Sequence, residues 1–466
     1  MSDDLAFTPA TELVAGYAAK TISPVEATAA ALARIHAHNA ALNAFYLIDE
    51  EGALDAARQS ERRWTAGEPL GPVDGVPTSI KDHQLTMGWP SPRGSRTTDP
   101  DEPWVEDAPA VARVRESGAV LLGKTTMPEY GWKGCTDSEL FGITRNPWNL
   151  GKTPGGSSGG AAAALAAGMG PLALGSDGGG SIRIPCALTG LFGIKATFGR
   201  VPVYPPSPMG TVSHVGPMSR TVTDSALLLN VITKPDPRDW FAQPPTEIDY
   251  LAGIEDGIEG WRVAFSPTLG YAKVDPEVAE IVARAAGTFI ELGARVEQRD
   301  PGFADPTDVF TTHWYAGAAN ALKDKSAEQL ELVEPPFLAM AVAGREIGAV
   351  EYLTAVARRT ELGIQMNHFL DEWDLLLTPA VSVPAFDVGI VAPPGYDGFY
   401  WTEWTPFSYP FNLTQQPAAS VPCGFTAAGL PVGLQIVAAK HAEAKVLRAA
   451  RAYEAAHPTT GRRPAL

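Results

Sequence analysis

The chain has 466 residues, 45% of them hydrophobic and 19% charged, the balance expected of a soluble globular protein rather than a disordered or fibrous one. A formal net charge of -17 with no basic run excludes a general nucleic-acid surface, which needs clustered Lys and Arg. The opening "MSDDLAFTPATELVAG" has no charged-then-apolar leader, and no stretch approaches the ~20 apolar residues of a membrane span, so a cytoplasmic protein that engages no membrane is expected.

Residues 1–65 read as helices. "SPVE" supplies an N-cap Ser23, Pro24 at the first helical position and Glu26 to close a capping box, and Val25, Ala29, Leu32 and Ile35 follow at helical spacing. From about residue 70 the pattern changes to short apolar runs between Gly and Pro: "GVPTSIK", "GAVLLGK", "PLALGS" and "GLFGIKA". They alternate with the helical "SSGGAAAALAAG" and "VTDSALLLNVI", which predicts a sheet flanked by helices. "WRVAFS", the capped amphipathic "DPEVAEIVARAAGTFIELG" and "ARVEQ" then form a strand–helix–strand crossover unit. Residues 300–350 are helical and could cover the sheet or line a pocket. "DEWDLLLTPA" reads as a buried strand, "ASVPCGF" and "LPVGLQIVA" as a hairpin, and 441–455 as a last helix. No linker or internal repeat interrupts the chain, so one large α/β domain is expected, with a mixed sheet carrying helices on both faces.

Cys135, Cys186 and Cys423 are odd in number and widely separated, which fits free buried thiols better than disulfides or a zinc pattern. His36 and His38 lie two apart on a helix and face different ways, so no metal site is indicated.

"GAVLLGKT" at 118–125 matches the phosphate-loop pattern G-x-x-x-x-G-K-T. A phosphate loop curls its backbone N–H groups toward the ligand and starts a helix at Lys-Thr. Here Ala119, Val120, Leu121 and Leu122 favour a buried strand, and Pro128 with two glycines spoils a following helix. A nucleotide-binding protein through Lys124 is therefore the alternative of another class, and the pattern argues against it.

In "SDGGGSIRIP" Ser181 follows three glycines, whose unhindered N–H groups could form a concavity for an oxyanion. A serine hydroxyl needs a base, and no histidine lies in a supporting motif; the elbow pattern G-x-S-x-G is also absent. A second cluster, "PGGSSGG", holds Ser157 and Ser158 ahead of an alanine-rich helix.

Together with "GPVDGVPTSIKD", "FGITRNPWNLGKTPGGSSGG", "LTGLFGIKATFGRVP", "GPMSRTVTDSALLL" and "FNLTQQPAASVPCGF", these clusters resemble the amidase signature family over nearly the whole chain. The resemblance implies a Ser-cisSer-Lys triad, with Ser181 as nucleophile, Ser157 behind a cis Gly156–Ser157 peptide as proton relay, and Lys81 as terminal base. It also implies an oxyanion hole from the N–H groups of Gly178, Gly179, Gly180 and Ser181, a structural pair of Asp177 with Arg183, and a supporting Ser158. For Lys81 to accept a proton its ammonium must be disfavoured, and burial at the end of an apolar strand does that.

The implied domain spans 1–466: N-terminal helices 1–65, signature core 66–240, a variable part 241–350 over the pocket, and the C-terminal part of the core 351–466. Departures from the family pattern are Gly178, Ala196, Gln415 and His83; His83 could influence Lys81 electrostatically. Tyr130, Trp132, Trp314, Tyr315, Trp401 and Trp404 are candidates for an apolar or aryl pocket, with packing as the equally weighted alternative.

The implied activity is hydrolysis of a carboxylic amide through a seryl acyl-enzyme, on a small amide, ester or carbamate, by a monomer or homodimer using no cofactor and no metal. The A-type component of a glutamyl-tRNA amidotransferase, working as a glutaminase, shares the triad and is the alternative within the family.

Overall fold

A computed structural model describes residues 2–99, 101–458 and 462–466. Thirteen strands run along the described chain. They are β1 (Phe45–Ile48), β2 (Pro77–Lys81), β3 (Val120–Thr125), β4 (Asp137–Ser138), β5 (Gly142–Ile143), β6 (Leu172–Asp177) and β7 (Phe192–Lys195). The rest are β8 (His214–Ser219), β9 (Arg262–Phe265), β10 (Arg295–Gln298), β11 (Leu375–Pro379), β12 (Ala418–Phe425) and β13 (Pro431–Val437). Eleven of them form one sheet in the order β1-β3-β2-β6-β8-β7-β12-β13-β11-β9-β10, while β4 and β5 make a separate hairpin. The sheet is mixed: β3, β2 and β6 are mutually parallel, as are β11, β9 and β10, and antiparallel strands join the two groups.

Both faces are dry, because successive residues of a strand enter different apolar clusters, as a period of two requires. Leu121 packs with the helices Pro109–Glu116 and Val222–Ile232, whereas Val120 and Leu122 pack with Pro24–Leu42, Glu50–Ala66 and Gly159–Ala166. Leu375 and Leu377 likewise face one way and Leu376 the other.

Ser23 caps the helix Pro24–Leu42 in a full capping box with Glu26. The crossover is present too, with β9 and β10 parallel around the helix Pro276–Glu291, whose first N–H groups are held by Asp275. The purely helical reading of the first 65 residues is corrected by β1, which pairs antiparallel with β3 at the sheet edge. Its aromatic and β-branched "FYLI" is too short to stand out among helices, and the pairing that stabilises it comes from a strand far along the chain. No helix among the described residues is long and apolar enough to cross a membrane.

Candidate active site

β2 and β6 end at the same side of the sheet, and the site grows from their last residues. Lys81 closes β2 with its side chain fully buried. Its Nζ donates to Ser157 Oγ at 2.8 Å, Ser158 Oγ at 2.9 Å and Ser176 Oγ at 2.9 Å. Burial disfavours the ammonium and lowers the Lys81 pKa to about 7, against the opposing charges of Asp177 and Asp82. Three neutral hydroxyls satisfy its hydrogen bonds without restoring a charge partner at contact distance.

The Gly156–Ser157 peptide is cis. Ser157 and Ser158 then lead into the helix Gly159–Ala166, where a Cβ on Gly160 would sit 2.4 Å from Thr126 Oγ1. The two glycine–serine loops are tied directly: Ser158 N–H donates to the Ser181 carbonyl at 3.2 Å. Ser158 Oγ also donates to the Ser176 carbonyl at 3.2 Å.

Asp177 ends β6 and organises the second loop. Its carboxylate accepts from Arg183 Nε and Nη2 at 2.9 and 2.8 Å, and from the N–H of Gly180 and Ile182 at 2.8 and 3.3 Å. Burial alone would raise this carboxyl, but the paired Arg183 charge and its hydrogen bonds outweigh burial and hold it well below the usual carboxylate range. Arg183 in turn donates to Ser408 O, Gln435 Oε1 and Asn412 Oδ1, so the whole pair is satisfied inside the protein. The Gly180 N–H is thus already engaged by Asp177, which sets it apart within the expected oxyanion set of Gly178, Gly179, Gly180 and Ser181. A Cβ on Gly179 would meet Trp401 at 2.6 Å and Phe310 at 2.8 Å, so no larger residue fits there.

Ser157, Ser176, Gly178 and Ser181 line a cavity of about 330 Å³. Of the expected pocket aromatics, Tyr130 and Trp314 line it. Trp132 does not: it is fully buried, donates through Nε1 to Glu334 Oε2 at 2.9 Å, and belongs to the core. Tyr315 faces a separate crevice with Trp401, and Trp404 is buried with its Nε1 on the Val391 carbonyl. Aromatic residues close in sequence diverge here because helix and loop turn neighbours in different directions.

Sequence reading missed Ser176, which carries one of the three hydroxyls on Lys81, and Arg93, Lys323 and the loop 203–209, which line the cavity. A serine two residues ahead of a glycine triplet was the available signal for Ser176; nothing local marks the others.

Three of the departures from the family pattern have a visible setting. Trp314 lies 3.1 Å from where a Cβ on Gly178 would stand, so the ring fills that space. Gln415 has φ +68°, the left-handed region that favours glycine, and its carbonyl accepts from Phe198 N–H at 3.4 Å. His83 lines the cavity, and burial drives its imidazole well below its ordinary value, so it is neutral and brings no charge to Lys81. Lys124 is no phosphate ligand: it lies in buried β3 and donates to Gln84 O, Thr86 Oγ1 and Ser91 Oγ.

A mixed eleven-stranded sheet whose strand ends present a buried lysine among serines is the setting for which the chain's relatives give a family. The chain belongs to the amidase family, whose model, described as Amidase, matches residues 26–447. It is 38% identical to an acylamidase of Rhodococcus erythropolis over 98% of this chain and 97% of that protein. It is 37% identical to the A-type component of the glutamyl-tRNA(Gln) amidotransferase of Myxococcus xanthus over 96% of each. Among solved structures it is similar to a bacterial aryl acylamidase of the amidase signature family, with a TM-score of 0.91, 32% identity and coverage of 98% and 97%.

Proposed function

We propose that the protein hydrolyses acyl amides of small, partly apolar molecules through a seryl acyl-enzyme. The hydrogen bond between Ser157 and a buried Lys81, whose pKa burial lowers to about 7, carries this reading. Ser181 Oγ attacks the carbonyl carbon while its proton passes to Ser157 Oγ, and the Ser157 proton passes to Lys81 Nζ. The N–H groups of Gly178, Gly179 and Ser181 receive the oxyanion. Collapse breaks the C–N bond as Ser157 returns a proton to the leaving nitrogen, drawing one back from Lys81. Water then attacks the acyl ester along the same route, releasing the acid and restoring Ser181.

The likeness to acylamidases and a cavity lined by Tyr130 and Trp314 support acyl and aryl amides. Aryl esters and carbamates offer the same carbonyl and fall within the proposal. Residues 241–350 are read as the cover of the pocket, supported by Trp314, Asn320 and Lys323 in its lining. A cytoplasmic monomer or homodimer completes the reading.

The similarity to the A-type amidotransferase components supports a second reading as a glutaminase working with partner proteins. The deciding experiment is a hydrolysis panel on the purified protein: aryl anilides, fatty amides, primary amides including glutamine, and aryl carbamates. Turnover of anilides by the chain alone, lost in Ser181→Ala, supports the proposal. Activity confined to glutamine replaces it with the second reading.

A further inference from the structure

The protein as a whole is acidic, with 53 Asp and Glu against 36 Lys and Arg, yet its catalytic cavity reverses that balance. Among the described residues, the charged side chains that line it are Arg93 and Lys323, and no carboxylate does. His83, also in the lining, is neutral. Neither cation has a partner at contact distance, for the Arg93 guanidinium and the Lys323 ammonium make no ion pair or hydrogen bond with another described residue. Asp82 is the acid that feels the Arg93 charge, but its two oxygens already accept from Tyr46 Oη at 2.8 Å and Gly94 N–H at 2.6 Å.

The backbone fixes Arg93 where it is. Arg93 has φ +59°, in the left-handed region, and its carbonyl accepts from Tyr130 N–H at 2.7 Å. The following Gly94 is anchored to Asp82, the residue after Lys81, and has no room for a Cβ, which would lie 2.7 Å from the Met127 carbonyl. An arginine therefore occupies a conformation that glycine would adopt more cheaply, and its half-buried side chain lies along the cavity that holds Ser157 and Ser181.

We propose that the substrate of this site carries a carboxylate apart from the scissile amide, bound by the Arg93 guanidinium with Lys323 at the rim; this rests on the amide-hydrolase reading above. A planar guanidinium in a partly desolvated cavity matches a carboxylate in two parallel hydrogen bonds, and an electropositive opening in an acidic surface draws such an anion in. A free amino acid fits less well, because its ammonium would find no carboxylate in the lining.

Two matched pairs test this in the wild-type protein: the mono-4-nitroanilide of succinic acid against the 4-nitroanilide of pentanoic acid, and 4-acetamidobenzoate against 4-methylacetanilide. The expected result is a kcat/KM at least tenfold higher for the anion in one of the pairs, carried mainly by KM and weakened by salt. In Arg93→Gln that preference falls at least tenfold and in Arg93→Lys it is partly restored, with circular dichroism confirming the fold; Lys323→Gln reduces it less. Hydrolysis of the neutral members without preference for either anion overturns the carboxylate site and leaves the hydrolase reading standing, as does a preference that survives in Arg93→Gln. No turnover of any of the four overturns both.

Discussion

Lys81 Nζ stands 2.8 Å from Ser157 Oγ, although the two residues come from an interior strand and a loop far apart in the chain. The contact joins the group whose proton affinity burial has lowered to the hydroxyl that, in the proposed mechanism, takes the proton from Ser181.

The pH dependence of turnover follows from that lysine. The base form is the neutral amine, whose population rises tenfold per pH unit below the pKa and saturates above it. With Lys81 at about 7, log kcat/KM for a neutral anilide climbs with a slope near one below that value and levels above it. Lys81→Ala removes most of the activity and flattens the rising limb. Wild-type rates in that variant would sink the lysine-base mechanism.

Ser181→Ala abolishes hydrolysis of a chromogenic anilide while circular dichroism and the thermal midpoint stay near wild type, because the removed hydroxyl opens on the cavity rather than supporting the core. Ser157→Ala retains the nucleophile but loses its relay, for a drop of about 10²–10⁴ in kcat. An acyl-enzyme detected by mass spectrometry in the wild type and missing in Ser181→Ala is the direct check.

Arg183→Met strips the buried Asp177 carboxylate of its charge partner. Such a break costs about 3–5 kcal/mol, because the remaining charge stays desolvated. The loop 178–181 loses its anchor at the same time, so denaturant unfolding shifts to lower concentration and activity falls with it.

Gly179→Ala places a methyl group 2.6 Å from Trp401 and 2.8 Å from Phe310. Both are ring atoms packed in the core, so the loop has to move instead, at a cost of about 1–3 kcal/mol and with loss of the oxyanion donors. Reduced kcat with a lowered thermal midpoint is the expected pair of readouts.

Lys124→Met leaves Gln84 O, Thr86 Oγ1 and Ser91 Oγ without their shared donor inside the core. Thr86 Oγ1 and Ser91 Oγ still donate to Gln84 O, so what is lost is three bonds to a single buried donor, and the variant melts earlier, at a cost of about 1 kcal/mol of stability. The expected result of calorimetric titration of the wild type with ATP is no binding; nucleotide affinity lost on this substitution would restore the phosphate-loop reading.

Much of this was legible in the chain because it is written locally. The capping box at Ser23, the apolar strands, the crossover around Pro276–Glu291 and the two glycine–serine clusters each depend on neighbours in sequence. A strand-forming interior also marked "GAVLLGKT" as core rather than ligand loop, as buried β3 bears out.

Other features depend on groups brought together from distant segments. β1 exists because β3 offers it hydrogen bonds, and Trp132 and Trp314 part company because one turns into the core and the other into the cavity. The Gly180 N–H serves Asp177, Ser176 reaches Lys81, and Arg93 reaches the cavity through a backbone turn anchored on Asp82. Sequence alone determined the family and nominated the residues proposed for the chemistry, since motif and hydrophobic period are local properties. Tertiary structure decided the proton affinity of Lys81 and the charge of the cavity, because desolvation and electrostatic potential are set by everything packed around a group and not by its neighbours in the chain.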